Sequence, residues 1–305
     1  MNRSILEQNT IPLGKFIRAV PIVHGSVEFT RILRELFLDS PPEILACELP
    51  QDILPAVKKA LPFAEDILVI SSDPGNSAPL HFVVEPLEPI VESLRSSYEK
   101  DIPIYAVDLA VSDILSFLPE HFPDTYSLQY LNIKELYELY LRSQKNRKTQ
   151  SVETILTEKI DSYRELSMVS HLKKIEASFS GDNEKYILFV CGIAHLNSIQ
   201  KLMEKSPSEL EELMNEFSFD KDMIEEEPLE YLLNRNASGP GAEDGNFEIS
   251  TLSRESPEIL TQPPYYNNFW NLFRNNPKQL PLFTRILLQR SAYRETVNRY
   301  ERESG

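Results

Sequence analysis

Short apolar runs alternate with amphipathic stretches through the first two-thirds of the chain. Runs of five to eight residues rich in Val, Ile and Leu are typical of buried strands, and they occupy residues 17–23, 43–49, 66–70, 102–108 and 185–192. Stretches with apolar side chains at helical spacing lie between them, at residues 27–38, 54–61 and 88–100. Because strands that alternate with helices usually pair in parallel, the pattern predicts an α/β fold. We expect a central, largely parallel or mixed sheet flanked by helices.

The middle and the C-terminal third follow other patterns. Residues 125–180 have apolar side chains at helical spacing, which predicts a helical insert within an α/β domain of residues 10–205. Residues 206–233 predict a helical extension. Residues 234–264, rich in Gly, Ser, Asn, Pro and acidic side chains, predict a flexible acidic linker. Residues 265–305 predict C-terminal helices, which we interpret as leading into a further segment.

Charge is distributed unevenly along the chain. The formal net charge is −16, and residues 203–262 contribute 16 acidic and 4 basic side chains to it. Residues 263–305 carry 7 basic and 3 acidic side chains. Non-specific nucleic-acid binding needs a basic field, so the overall charge argues against nucleic acid as a partner. The contrast between the two segments predicts that the C-terminal tail contacts a protein partner or a second copy of the chain.

The composition indicates a cytoplasmic protein without a membrane span. No run of about 18 apolar residues is present, and residues 1–14 lack the apolar core of a signal peptide. The only cysteines, Cys47 and Cys191, lie inside apolar runs, so we expect buried, unreactive thiols rather than a disulfide.

Three of the apolar runs lead directly to a polar side chain. His24 follows the first run, Glu48 lies near the end of the second, and His195 follows the last. Each of these residues taken singly is more often an ordinary loop or strand-end residue. Because the carboxyl ends of parallel strands meet at one edge of a sheet, the joint pattern predicts that the three converge. Two imidazoles and a carboxylate can bind a divalent metal or activate water as an acid–base pair.

The order of these motifs resembles that of the TraB-like superfamily, which includes erythromycin esterases, ChaN haem-uptake proteins and Tiki metalloproteases. That family has a Gly-x-x-His after a strand, a Glu-Leu pair ending the next strand, an Arg-containing helix with a Met, and a second Gly-x-x-His. The corresponding segments here, within residues 15–205, are residues 21–26, 47–49, 163–168 and 191–195. The resemblance depends on the order of the motifs, since each is short.

The resemblance implies a hydrolase that cleaves an ester or peptide bond in a small-molecule or peptide substrate. His24, Glu48 and His195 would activate water or hold one divalent ion such as zinc, manganese or cobalt, and the sequence does not choose between these roles. Arg164 would neutralise a developing oxyanion. Asp108 is similar to an Asp that ends a family strand; it would orient a histidine or cap the helix predicted to follow it.

Two departures from the family pattern lead to an alternative function. Pro21 stands where the first motif has Gly, and proline fixes φ and removes a hydrogen-bond donor. No Arg follows Glu48 within a few residues, so a guanidinium suited to carboxylate or phosphate is missing there. The alternative is a catalytically degraded binding or regulatory module with the same fold. Pro21 directing His24 away from Glu48 and His195 would favour that module.

Overall fold

The computed structural model describes residues 5–72, 81–109, 124–144, 152–181, 185–216, 247–251 and 264–279. The strands are β1 (Ile11–Pro12), β2 (Ile17–Ile22), β3 (Ile44–Pro50), β4 (Leu68–Ser72), β5 (His81–Val84), β6 (Ile104–Asp108), β7 (Ile187–Gly192) and β8 (Phe247–Thr251). The helices are α1 (Ile5–Asn9), α2 (Val27–Asp39), α3 (Leu54–Ala60), α4 (Pro89–Glu99), α5 (Ile133–Gln144), α6 (Val152–Ser178), α7 (Ile193–Met203), α8 (Pro207–Glu216) and α9 (Pro264–Phe273). Short 3₁₀ turns occupy Leu61–Phe63, Thr125–Gln129 and Pro277–Gln279.

The central sheet has five strands in the order β1, β2, β7, β3, β6. Strand β1 is antiparallel to β2, and the other neighbouring pairs are parallel. Strand β7 therefore lies between β2 and β3, although it comes much later in the chain. The register pairs Ile22 with Gly192 and Cys47 with Val190, so the carboxyl ends of these three strands share one edge. This arrangement confirms the predicted α/β fold.

Both faces of the central sheet are covered by helices. One core cluster joins the sheet to α2, α3, α4 and the start of α5, and the other joins it to the rest of α5, α6, α7 and α8. All six residues of β7 are buried, which explains its continuous apolar sequence. Cys47 and Cys191 belong to opposite clusters and are free thiols. Burial raises the pKa of both thiols, as the sequence predicted.

Strand β4, the third of the apolar runs, does not join the central sheet. It forms a separate antiparallel sheet in the order β5, β4, β8. Because β5 and β8 occupy both edges of β4, this strand has no free edge with which to extend the central sheet. Strand β8 lies inside residues 234–264, the segment predicted to be a flexible linker; residues 234–246 and 252–263 lie outside the described residues.

Local capping determines where the helices of the predicted insert and extension begin. Apolar spacing predicts a helix from residue 127, but α5 begins at Ile133. Asn132 and Glu135 form a reciprocal cap, in which each side chain accepts the other residue's backbone N–H, at 3.0 and 2.8 Å. Ser206 and Glu209 form the same kind of cap at the start of α8. Apolar spacing predicts the next helix over residues 152–177, and α6 spans Val152–Ser178.

Helix α9 packs against the α/β domain through a buried polar network. Trp270, which is 1% exposed, donates its Nε1–H to Glu92 on α4 at 3.0 Å. Arg274 donates to the same Glu92 carboxylate at 2.7 Å and also to Glu99. A buried guanidinium needs such partners, because an unpaired charge in the interior is costly. Within the described ranges, no helix is both long enough and apolar enough to cross a membrane.

Candidate active site

The carboxyl edge of the central sheet brings His24, Glu48 and His195 together around Gly192. His195 Nε2 lies 3.3 Å from Glu48 Oε1. A Cβ atom placed on Gly192 would lie 3.3 Å from Glu48 Oε2, 3.5 Å from His195 Cδ2 and 3.8 Å from His24 Nε2. The three side chains, which are distant in sequence, therefore surround one small space above the end of β7.

A change of register in β3 accompanies the position of Glu48. Strand β3 pairs with β6 at Cys47–Ala106 and next at Pro50–Asp108, so β3 contains one extra residue in this interval. Such a bulge bends the strand and redirects its side chains. The carboxylate of Glu48 then accepts the backbone N–H of Gly192 at 2.6 Å. The bulge explains how a strand residue reaches the first residue before α7.

His24 lies in the turn between β2 and α2, where Glu88 fixes its ring. His24 Nδ1 lies 2.7 Å from Glu88 Oε1, and Gly25 N–H donates to Glu88 Oε2 at 2.7 Å. Gly25 has φ of 68°, a left-handed conformation that glycine adopts without a Cβ clash. Glu88 immediately precedes α4. One carboxylate thus holds both the ring and its turn, and Nε2 is left on the side of Gly192.

Electrostatics favours the protonated form of His24. Burial by itself lowers the pKa of His24, but the Glu88 carboxylate outweighs it, with a smaller contribution from Glu48, and the pKa rises to about 9. The side chain is 52% exposed, so solvent reaches the ring.

His195 is held in the same manner by a second carboxylate. Its Nδ1 lies 3.0 Å from Glu165 Oε1, and both residues are buried. Burial lowers the pKa of His195, yet the Glu48 and Glu165 carboxylates raise it well above its usual range. Each imidazole therefore has its Nδ1 fixed by its own glutamate, Glu88 or Glu165.

Arg164 on α6 joins the carboxylates of Glu48 and Asp108. Its Nη2 donates to Glu48 Oε1 and to Asp108 Oδ2, each at 2.7 Å, and its Nε donates to Asp108 Oδ1 at 3.1 Å. Its Nη1 donates to Asp161 at 3.0 Å. Burial raises the pKa of Glu48, but His195 and Arg164 outweigh burial and hold that pKa well below its usual range. Every nitrogen of this guanidinium is thus bound to a carboxylate.

Asp108 contacts Arg164 rather than either histidine ring. Its Oδ1 also accepts the N–H of Leu109 at 2.8 Å. Burial raises the pKa of Asp108, although Arg164 opposes that rise. The helix that Asp108 was expected to cap falls in residues 110–123, which lie outside the described residues.

Sequence reasoning did not single out Glu88 or Glu165. Glu165 stands beside Arg164 within the Arg-containing motif, and this position in the motif is what could have indicated it. Glu88 was interpreted only as the start of a helix. It contacts a histidine 64 positions away in the chain, and no local pattern indicates a pairing at that distance.

The donor groups of this site do not fit a divalent metal well. In the parts of the chain that the structure describes, no three His, Cys, Asp or Glu side chains are arranged to hold an ion. Glu48 Oε1 already binds Arg164, and its Oε2 accepts the Gly192 N–H. A metal ion would compete with that guanidinium for the same oxygen. The expected zinc, manganese or cobalt ion stays a prediction.

The chain matches no protein-family model, no curated protein and no solved structure. Its resemblance to the TraB-like superfamily therefore stays a prediction, which depends on the order of the motifs in the sequence.

Proposed function

We propose that this chain is a hydrolase that activates water beside His24, Glu48 and His195 and cleaves an ester or peptide bond. The observation that carries the proposal is the pairing of each imidazole with its own carboxylate, His24 with Glu88 and His195 with Glu165. A carboxylate bound to Nδ1 fixes the tautomer and orientation of an imidazole and raises its basicity. The resemblance to TraB-like hydrolases supports the choice of bond.

His24 serves as the general base. Its ring is the more exposed of the two imidazoles, so a water molecule can reach Nε2. As that water attacks the substrate carbonyl, one of its protons moves to Nε2, and the Glu88 carboxylate stabilises the imidazolium that forms. Only the neutral ring accepts a proton, so the rate rises with pH towards the pKa of about 9.

His195 and Arg164 have separate roles in the proposed mechanism. The buried His195 imidazolium provides a proton donor for the leaving group when the tetrahedral intermediate collapses. Arg164 was expected to bind the oxyanion directly. Its nitrogens are bound to Glu48, Asp108 and Asp161, so we assign it the role of holding Glu48 ionised and in place.

The two departures from the family pattern do not remove the contacts that this mechanism uses. Pro21 lies within β2, paired with Cys191, and His24 still reaches the vicinity of Gly192. A guanidinium is supplied to Glu48 by Arg164, from α6 rather than from the segment after β3. Both observations support the hydrolase over the degraded binding module.

A hydrolysis screen tests the proposal directly. The purified full chain is assayed at about pH 9 with p-nitrophenyl esters and fluorogenic peptides, before and after dialysis against EDTA. We expect hydrolysis that chelation changes by less than about twofold, because the proposed steps use protein side chains only. Activity that EDTA abolishes and zinc, manganese or cobalt restores would assign a metal mechanism instead. A folded chain that hydrolyses none of the substrates would favour the binding or regulatory module.

Replacing Gly192 with alanine is expected to lower hydrolysis by up to about 100-fold, because a misplacement of about 1 Å at a catalytic group can cost that much. The added Cβ would lie 3.3 Å from Glu48 Oε2, and the carboxylate must move to accommodate it. Gly192 has φ of −56°, which alanine adopts freely. The urea-unfolding midpoint should therefore change little. An unchanged kcat/KM would show that the space above Gly192 is not used.

A further inference from the structure

The turn that presents Glu88 to His24 is held in place by a residue of the C-terminal helix. Asn267 on α9 is 1% exposed. Its Oδ1 accepts the backbone N–H of Leu87 at 2.7 Å, and its Nδ2 donates to Glu85 Oε1 at 3.1 Å. Since a buried amide needs partners for both of its ends, this side chain determines where residues 85–87 lie relative to α9.

The same turn is fixed from the side of α2. Thr30 donates its hydroxyl to the carbonyl of Leu87. Val27, at the start of α2, packs with Leu87, Tyr266 and Trp270 in a separate apolar cluster. The backbone of Leu87 is therefore bound on its N–H side by α9 and on its C=O side by α2. Little freedom remains for the residue that follows it.

That following residue is Glu88, whose two carboxylate oxygens bind His24 Nδ1 and the Gly25 N–H. Glu88 N–H itself donates to Glu85 O at 2.9 Å, which closes the turn. A displacement of residues 85–87 would move the Glu88 backbone and therefore its carboxylate. The position of the His24 ring depends on that carboxylate, because Nδ1 has no second partner among the hydrogen bonds of the described residues.

We propose that Asn267 is a positioning residue for His24, acting through the Glu85–Glu88 turn, and that α9 is thereby part of the active site. The effect of Asn267 on hydrolysis rests on the proposed function. Its structural content, the contact between His24 and Glu88, can be measured without any substrate. Asn267 has no direct contact with His24, so its effect must pass through Glu88.

The test is a histidine NMR titration of the full chain carrying Asn267→Ala. The His24 resonances are assigned by their loss in His24→Asn. We expect the low-field Nδ1–H signal to weaken and the pKa of His24 to fall by at least about one unit towards 6.5, because the charge of the adjacent Glu88 carboxylate and its hydrogen bond favour the imidazolium. The other charged or titratable groups facing the ring, Glu48 and His195, stay unchanged.

The matched control is Asn271→Ala, one turn further along α9. Asn271 bonds to Arg95 and to the carbonyl of Glu65, so it helps to hold the same helix without contacting the turn. We expect this variant to shift the pKa of His24 by less than about 0.3 units. Equal shifts in both variants would overturn the proposal, since general loosening of α9 would then explain them.

A folded Asn267→Ala chain with wild-type His24 signals would also overturn the proposal. If Asn267→Ala does not fold, Asn267→Ser takes its place, because serine keeps a small polar group at this position. Wild-type His24 signals in this variant, or a pKa shift equal to that of Asn271→Ala, would again overturn the proposal. The positioning role of Asn267 and the proposed hydrolysis can each fail without the other in these experiments. A shifted His24 resonance in a chain that hydrolyses nothing would keep the role of Asn267 and remove the proposed hydrolase.

Discussion

Replacing Arg164 with methionine is expected to destabilise the folded chain by about 3–5 kcal/mol, because it removes the partner of buried charges. Arg164 donates to Glu48 and Asp108, whose side chains are 8% and 4% exposed. Methionine fills much of the same volume but carries no donor, so both carboxylates stay in the interior with fewer partners. Denaturant unfolding at pH 7, monitored by circular dichroism, measures the loss.

The control for this prediction is Arg142→Met on α5. Arg142 pairs with Glu138 at 3.7 Å, and both side chains are about 70% exposed. Solvent screens such a pair, so we expect a change within about 0.5 kcal/mol. If Arg164→Met costs no more than this control, the carboxylates of Glu48 and Asp108 are solvated in solution and the buried cluster is not formed.

The cost of Arg164→Met should also depend on pH. The pKa of Glu48 is depressed in the folded chain, so its ionised form contributes stability that is present above its ordinary value of 4.5. That contribution is lost as the pH falls towards the depressed pKa. The variant lacks the part of it that Arg164 supplies, so the difference in unfolding free energy between wild type and variant should narrow below about pH 4.5.

Replacing His24 with asparagine is expected to lower hydrolysis about 10²- to 10⁴-fold, the range typical for loss of a general base. Asparagine keeps a hydrogen-bonding group near Glu88, and the native side chain is 52% exposed, so the fold should tolerate the change. The measurement is kcat/KM across pH 6 to 10 on the best substrate from the hydrolysis screen. A loss below about threefold would assign the base to another residue.

Glu88→Gln separates the role of the base from that of its carboxylate. Glutamine removes the charge that raises the pKa of His24, so the pKa should fall from about 9 towards its ordinary value of 6.5. The rising limb of the rate profile then moves to lower pH by the same amount. A profile that does not move would mean that His24 is not the group titrating in the rate.

The apolar pattern predicted most individual elements because burial on both faces of a parallel sheet demands continuous apolar runs. Strands β2, β3, β6 and β7 lie within two residues of their predicted bounds, and α6 does as well. The pattern did not indicate which strands pair. Strand β4 has the same apolar character as β6, yet it belongs to a different sheet, since pairing depends on free strand edges that a linear sequence does not display.

In the candidate site too, the sequence indicates some of the residues and not others. Residues at the ends of β2 and β7 could be selected from sequence because the carboxyl ends of parallel strands share an edge. The glutamates that bind the His24 and His195 rings could not be selected in this way. Glu88 immediately precedes α4 and Glu165 lies on α6, two helices that pack on opposite faces of the sheet, and the pairing of these glutamates with His24 and His195 follows from that packing.

By itself, the sequence determined which segments are buried strands, which are helices and which polar side chains stand at the strand ends, because periodicity and adjacency are local properties. Only the tertiary structure decided that β7 lies between β2 and β3, that a bulge aims Glu48 at Gly192, and that α6 supplies Arg164. These depend on contacts between residues more than 100 positions apart, where free energy rather than sequence order selects the partner.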